Sequence, residues 1–243
     1  NRAYTARYAQ NLEKFSQDLT AVAARGKFIL ALAREELLEE LIFSYLDNSV
    51  AVLTGQSGVG KSTVINYLAV KMVLEDVPQE LRDKRLIRFD HIKAFASFNN
   101  FENYKQYLIS SFKEATNSGN IILVIENIES MLDVRSDLRS EVISILEDAI
   151  ENKGLKLIIT TTNDAIQNQL KDITNILSKA AIVEMHPANK EMSLQILIDR
   201  GIELEKKTGI AVGVDAIREL VELSDKFEAD TAMPLKAIKV LEK

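Results

Sequence analysis

The stretch Ser49–Thr63, SVAVLTGQSGVGKST, constrains this chain more than any other. Val50, Ala51, Val52 and Leu53 read as a buried strand, and the glycine-rich loop behind them opens straight into a helical pattern. Gly55, Gly60, Lys61 and Ser62 satisfy the spacing G-x-x-x-x-G-K-[ST]. A strand that feeds a helix through such a loop aims backbone N–H groups, the positive end of the helix and a lysine at one point, which is a cradle for phosphates. The expected nucleotide-binding residues are therefore Gln56, Ser57, Gly58, Val59, Gly60, Lys61, Ser62 and Thr63. Lys61 reaches the β- and γ-phosphates in this reading, and the Ser62 hydroxyl is a ligand for Mg²⁺.

The rest of the chain has the pattern that such a loop needs. Further strands are expected at Arg85–Asp90, Ile121–Ile125, Lys156–Thr160 and Ala181–Glu184. Helices separate them, at about Arg34–Leu46, Thr63–Leu74, Glu102–Ala115 and Ser136–Glu151. Continuous apolar strands alternating with helices predict an α/β fold, a parallel sheet with helices on both faces. Residues 1–25 read as one helix with Leu12, Phe15, Leu19 and Val22 at helical spacing, ended by Gly26. Residues 91–101, HIKAFASFNNF, read as an irregular aromatic connection, and Thr116–Asn120 as a turn. From Asn189 the spacing is purely helical, which predicts a small helical subdomain. The expected division is 1–33 as an entering helix, 34–187 as the nucleotide-binding body and 188–243 as a helical lid.

With 243 residues and 47% hydrophobic content the chain can bury a large core. Cysteine is absent, which excludes disulfides and thiolate metal sites and fits a cytoplasmic location. A formal charge of −6 speaks against a general nucleic-acid surface, and no apolar run approaches the roughly 20 residues that cross a membrane. His91 and His186 are far apart and are read as surface or strand-end positions rather than ligands. The chain opens on Asn1 with no signal-peptide pattern, and is expected to be a piece of something longer.

A phosphate loop does not say what the nucleotide is for. Hydrolysis needs a carboxylate at the end of a neighbouring strand to hold Mg²⁺ and a group that orients the attacking water. Ile121–Asn127, IILVIEN, is the candidate strand. Glu126 at its carboxyl end is a candidate for the metal, whereas Asn127 has no basic oxygen to take a proton.

With these residues in view, the chain resembles the first AAA+ module of the Clp-type protein unfoldases, the ClpA, ClpB and ClpC group, over nearly its whole length. Leu12–Lys27 resembles the linker helix that enters the module, and Gly55–Thr63 its Walker A loop. Asp76–Asp90 resembles a stretch reading V-P-x-x-L-x-x-[RK]-x-[LIV]-x-x-[LF]-D, and Ile121–Met131 the Walker B strand with the helix start behind it. Thr160–Asp164, TTTND, sits where the sensor-1 strand ends, with Thr162 or Asn163 in the sensor position. Thr208, Asp215, Ala216 and Pro234–Ala237 match the lid. The resemblance implies ATP or ADP with Mg²⁺, a homo-oligomeric ring (usually a hexamer), and work on protein substrates, with a Clp-type peptidase as a further partner. It also implies adenine contacts from Phe28, Ile29 and Ile196, although the family's Val-Ile-Gly-Arg segment is reduced here to Leu30–Arg34, LALAR.

The departures from the family fall on its catalytic positions. Its Walker B ends in Asp-Glu, where this chain has Glu126-Asn127, an amide at the water activator. Its paired arginines correspond here to Leu177 and Ser178, with Lys179 nearby, and the residue before Pro-Leu in the lid is Met233, as expected of a first module. Its pore tyrosine and preceding basic residue correspond to Asn99 and Asn100, flanked by Phe98 and Phe101, which either grip a chain or are buried in the core. A general base is worth about 10²–10⁴ in rate and an arginine finger about 10³–10⁵. The first expectation is therefore a module that binds ATP for assembly or regulation with weak or no hydrolysis. The second is a slow ATPase that drives unfolding or disaggregation. A nucleic-acid loader is the third, disfavoured by the charge.

Overall fold

The structure, a computed structural model, describes residues 9–26, 28, 34–133, 136–152, 154–227 and 232–242. Among them lies one sheet of strands β1 (Ser16–Asp18), β2 (Val50–Thr54), β3 (Arg85–Phe89), β4 (Ile121–Ile125), β5 (Leu157–Thr161) and β6 (Ala180–Glu184), in spatial order β1-β3-β4-β5-β2-β6. The strands from β2 to β6 pair in parallel, and β1 joins β3 antiparallel at the edge. This is the parallel α/β sheet the apolar runs predict.

Successive side chains of a strand point to opposite faces, and here both faces are covered. Val50, Val52, Leu123, Ile125, Leu157 and Ile159 pack into one core with helices Phe101–Ser118 and Ser136–Glu151. Ala51, Leu53, Ile122, Val124, Ile158 and Val183 pack into the other with helices Glu35–Asp47 and Lys61–Val73. Each buried Leu, Ile or Phe contributes about 1.5–3 kcal/mol. Helices Lys190–Thr208, Val214–Phe227 and Leu235–Leu241 close a third, smaller core around Leu197, Ile217, Val221 and Ala237.

The N-terminal reading needs correction. Among the described residues, 9–25 are not one helix but helix Gln10–Lys14, strand β1 and helix Leu19–Ala24. Leu12 and Leu19 share helical spacing yet belong to opposite faces of the sheet, because the chain passes the sheet edge between them. Polar side chains fix this path. The Glu114 carboxylate accepts from the N–H groups of Asn11 and Leu12, Asp18 caps the second helix by accepting from Ala21 N, and Arg85 pairs with both Glu13 and Asp18 at 2.9 Å. The second helix ends as expected beside Gly26, whose N–H donates to Ala23 O. Residues 1–8 and Lys27, included in the helical and linker readings, lie outside the described residues.

Residues 91–101 are also more regular than expected. Asp90 accepts from Lys93 N and starts a short helix, His91–Ala96, and Asn100 caps the next by accepting from Asn103 N. That next helix runs to Ser118, so the turn contracts to Gly119 and Asn120.

His91 is buried, not a surface group, and its Nε2 lies 2.7 Å from Ser130 Oγ. Burial pushes its pKa down, against the opposing charge of Asp90. A histidine kept neutral by folding binds fewer protons folded than unfolded, so it lowers stability as pH falls from about 6.5 towards the depressed folded value. The melting temperature is expected to drop between pH 7.5 and pH 5.5, and His91→Gln is expected to flatten that drop. Parallel melting curves that keep the same separation at both pH values would remove His91 from the account.

Candidate functional site

The carboxyl ends of β2, β4 and β5 lie side by side, and the phosphate loop leaves the first of them. Gly60 precedes helix Lys61–Val73 at φ 102°, a backbone region where a side chain is strained, so the turn into the helix relies on glycine there. Lys61 Nζ donates to the carbonyls of Gly55 at 2.7 Å and Gln56 at 3.1 Å. Burial lowers its pKa, opposed by the charges of Glu129 and Glu126. The ammonium is thus a partly desolvated cation held at the mouth of the loop.

Glu126, directly after β4, reaches the same place. Its Oε2 accepts from Ser62 Oγ at 3.1 Å, and its Oε1 lies 3.1 Å from Arg88 Nη2 of β3. Arg88 Nη2 also donates to Asn66 Oδ1 on the loop's helix at 2.7 Å. Asn127 adopts a left-handed conformation, φ 51°, which asparagine tolerates better than glutamate does, and its N–H donates to Thr160 Oγ1 at 3.0 Å.

Thr162 caps helix Asn163–Asn168 by accepting from Ala165 N, and its side chain faces the same cavity as Asn127. Asn163 is engaged elsewhere, accepting from Thr54 Oγ1 and donating to Glu184 Oε1, both at 2.6 Å. Glu129 accepts from Thr161 Oγ1 at 2.8 Å, which sets a second carboxylate beside the end of β5.

A cavity of about 490 Å³ joins these parts to the C-terminal helices. One side is formed by Ser57–Thr63, Asn127 and Thr162, and the other by Ile196, Asp199, Arg200, Pro234, Leu235 and Ile238, with Arg34 and Met185 between. Ile196 lines this cavity opposite the loop, whereas Phe28 packs against the core under the loop's helix. Ile29 and 30–33 lie outside the described residues.

Reading the sequence missed Arg34, Arg88, Glu129, Asp199 and Arg200. Of these only Arg34 carried a signal, as the last residue of LALAR. Its Nη2 donates to His186 O at 3.1 Å, and burial lowers its pKa.

At the positions of the family's paired arginines, Leu177 packs on the core, Ser178 Oγ donates to Asn175 O and Lys179 pairs with Glu151. Phe98 packs against Phe15, Tyr104 and Tyr107, and Phe101 against Tyr104, so both rings have partners within the fold.

The family model for the ATPase family associated with various cellular activities (AAA) matches residues 51–182, more than half of the chain and every strand from β2 to β5. The chain belongs to the AAA family. A second model, RsgA GTPase, matches residues 5–84, which hold the phosphate loop but stop before β4. Among curated proteins this AAA chain is 25% identical over 95% of its length to the negative regulator of genetic competence ClpC/MecB of Bacillus subtilis, covering 29% of that protein. It is 26% identical over 95% of its length to the chaperone protein ClpB of Rhodopseudomonas palustris, covering 27% of it. The likeness to the Clp group thus holds along nearly the whole AAA chain, which spans under a third of those relatives. Among solved structures, the S. cerevisiae Hsp104:casein complex aligns with a TM-score of 0.85 and 22% identity over 96% of this chain and 40% of that one, a likeness of fold. Among the described residues no helix is long and apolar enough to cross a membrane.

Proposed function

We propose that this chain is the ATP-binding module of a Clp-like ring-forming chaperone, in which nucleotide serves mainly assembly or regulation and hydrolysis is weak or absent. The observation that carries this reading is a complete phosphate loop beside Asn127, an amide where a water activator belongs. The loop's N–H groups, Lys61 and the start of its helix bind the phosphates; Ile196, on the facing helix, packs on the base in this reading, as does Ile29 of the entering segment, while Phe28 supports the core beneath the loop's helix. Thr162 acts as sensor 1. The body is 34–187, the lid 188–243 and the entering segment 1–33, and ATP bound between body and lid fixes the angle between them. A hexameric ring, protein substrates, a Clp-type peptidase partner and a cytoplasmic location belong to the same proposal.

The residues present fit Mg²⁺. Ser62 Oγ and Glu126 Oε2 are 3.1 Å apart beside the loop, and buried Glu126 Oε1 has no directed hydrogen bond among the described residues, its compensation being the charge of Arg88. Ser62 and Glu126 would hold the ion, which when bound supplies positive charge to the phosphates. The side chains around it orient the nucleotide, but Asn127 cannot accept the proton of an attacking water. A slow ATPase is the second reading, favoured by Glu129, whose carboxylate sits on Thr161 at the same sheet edge and within electrostatic reach of Lys61.

The test pairs ATP binding in magnesium with steady-state phosphate release. Binding without release is expected. Asn127→Glu is expected to bring little or partial gain in release, because groups that act as a unit in catalysis are not additive and the arginine contribution of about 10³–10⁵ stays missing. Clear turnover in the unaltered chain, lost in Lys61→Ala, would sink the first reading and turn attention to Glu129.

A further inference from the structure

The wall of the nucleotide cavity that faces the loop is apolar except at two residues. Ile196, Pro234, Leu235 and Ile238 supply hydrocarbon, while Asp199 and Arg200 supply charge. Ile196, Asp199 and Arg200 stand at i, i+3 and i+4 of helix Lys190–Thr208 and so share one of its faces. Arg200 is committed to holding the C-terminal helices together. Its Nε and Nη2 donate to Glu242 Oε1 at 2.7 and 2.5 Å, just after helix Leu235–Leu241, and its Nη1 donates to Glu203. Asp199 is held only by Gln195, whose Nε2 donates to its Oδ1 at 3.2 Å. Its other oxygen has no hydrogen-bond partner among the described residues, and the carboxylate forms no ion pair there. The wall therefore carries one strong acceptor with capacity to spare.

Phosphates belong on the opposite wall, with Lys61 and the loop N–H groups, and a negative charge repels them. What faces Asp199 is therefore the uncharged nucleoside end. The flat faces of a purine suit Ile196, Pro234 and Leu235, and its hydrogen-bond donors lie on its edge. Adenine offers the 6-amino group there; guanine offers N1–H and the 2-amino group side by side. A carboxylate accepts one bond from the first and two in parallel from the second. Arg34, between the two walls, brings the complementary group. Its Nη2 donates to His186 O, its buried Nε has no partner among the described residues, and no carboxylate there offsets its burial. The 6-oxygen of guanine is an acceptor that suits such a donor. We infer that Asp199 reads the amino edge of the base, so that this site accepts GTP alongside ATP. The inference rests on the nucleotide-binding reading above and widens it from adenine to the amino-bearing purines.

The experiment is calorimetric titration of ATP, GTP, 2′-deoxy-ATP and purine riboside 5′-triphosphate, which lacks any amino group on the base. The proteins are the unaltered chain, Asp199→Ala and Asp199→Asn, with melting curves as the control for folding. The unaltered chain is expected to bind GTP within about tenfold of ATP, and purine riboside triphosphate about tenfold or more below both. Asp199→Ala is expected to weaken ATP and GTP by about tenfold to a hundredfold, the worth of a hydrogen bond to a charged acceptor, and to leave purine riboside triphosphate unchanged. Asp199→Asn keeps one acceptor oxygen but replaces the other by a donor, so it is expected to cost GTP more than ATP. GTP bound more than about a hundredfold below ATP by the unaltered chain overturns the inference. Equal losses for all four ligands in Asp199→Ala also overturn it, since they mark a packing role in the helix. A loss that vanishes with 2′-deoxy-ATP assigns the carboxylate to the sugar and overturns it as well. Absence of binding by every ligand would instead remove the nucleotide reading, and this inference with it.

Discussion

Lys61→Ala is expected to weaken ATP binding by about a hundredfold in magnesium buffer while the chain still folds. The size follows from one charge-assisted contact to phosphate, about 1.5–3 kcal/mol. The fold survives because alanine is a better helix former than lysine and the lost bonds, to the carbonyls of Gly55 and Gln56, lie at the loop rather than in either core. Burial already acts against this cation, with Glu126 and Glu129 offsetting it, so removing the charge relieves a desolvation cost even as it abolishes the phosphate contact. Titration of ATP into both proteins, with thermal melts as the control for folding, checks both halves. Binding within about threefold of the unaltered chain would mean that the loop N–H groups carry the site without the lysine.

Much of this was legible in the residues and some could not be. Buried parallel strands are near-continuous apolar runs, so IILVI, VAVL and KLIIT announced themselves, and the loop was fixed by glycine and lysine spacing. The edge strand Ser16–Asp18 was hidden because SQD has no apolar signature; it is a strand only because β3 offers it a partner and Arg85 holds Asp18 and Glu13. The helical spacing of Leu12 and Leu19 was real as arithmetic and misleading as geometry, since the two belong to different cores. The site divides in the same way. Residues in the loop and at the end of β4 are local in sequence and could be read, whereas Asp199 and Arg200 reach the cavity, and Arg88 reaches Glu126, through tertiary packing from other strands and helices.

Gly55→Val is expected to be the most damaging single change at the loop, costing about 2–6 kcal/mol of stability and all measurable ATP binding. Gly55 has φ +150°, and a Cβ built there would overlap the Met185 carbonyl and meet Val59 Cγ2 at 3.3 Å. Nothing near it can give way cheaply. Met185 continues β6 beside β2, its N–H donating to Thr54 O at 2.7 Å, so relief requires the two strands to part at the point where the loop begins. Backbone strain of this kind costs about 1–3 kcal/mol and overpacking about the same again, out of a total folding stability of roughly 5–15 kcal/mol. Gly55→Ala should act in the same direction, since the overlap is with Cβ itself. Gly119→Ala is the matched control, because Gly119 also has positive φ, +69°, but nothing lies within 4 Å of its added Cβ, so only the conformational cost of about 1 kcal/mol applies. Urea denaturation of the three variants separates the terms. A Gly55→Val chain as stable as Gly119→Ala would show that β6 is not seated against the loop, and that the wall formed by Met185 is free to move when nucleotide enters.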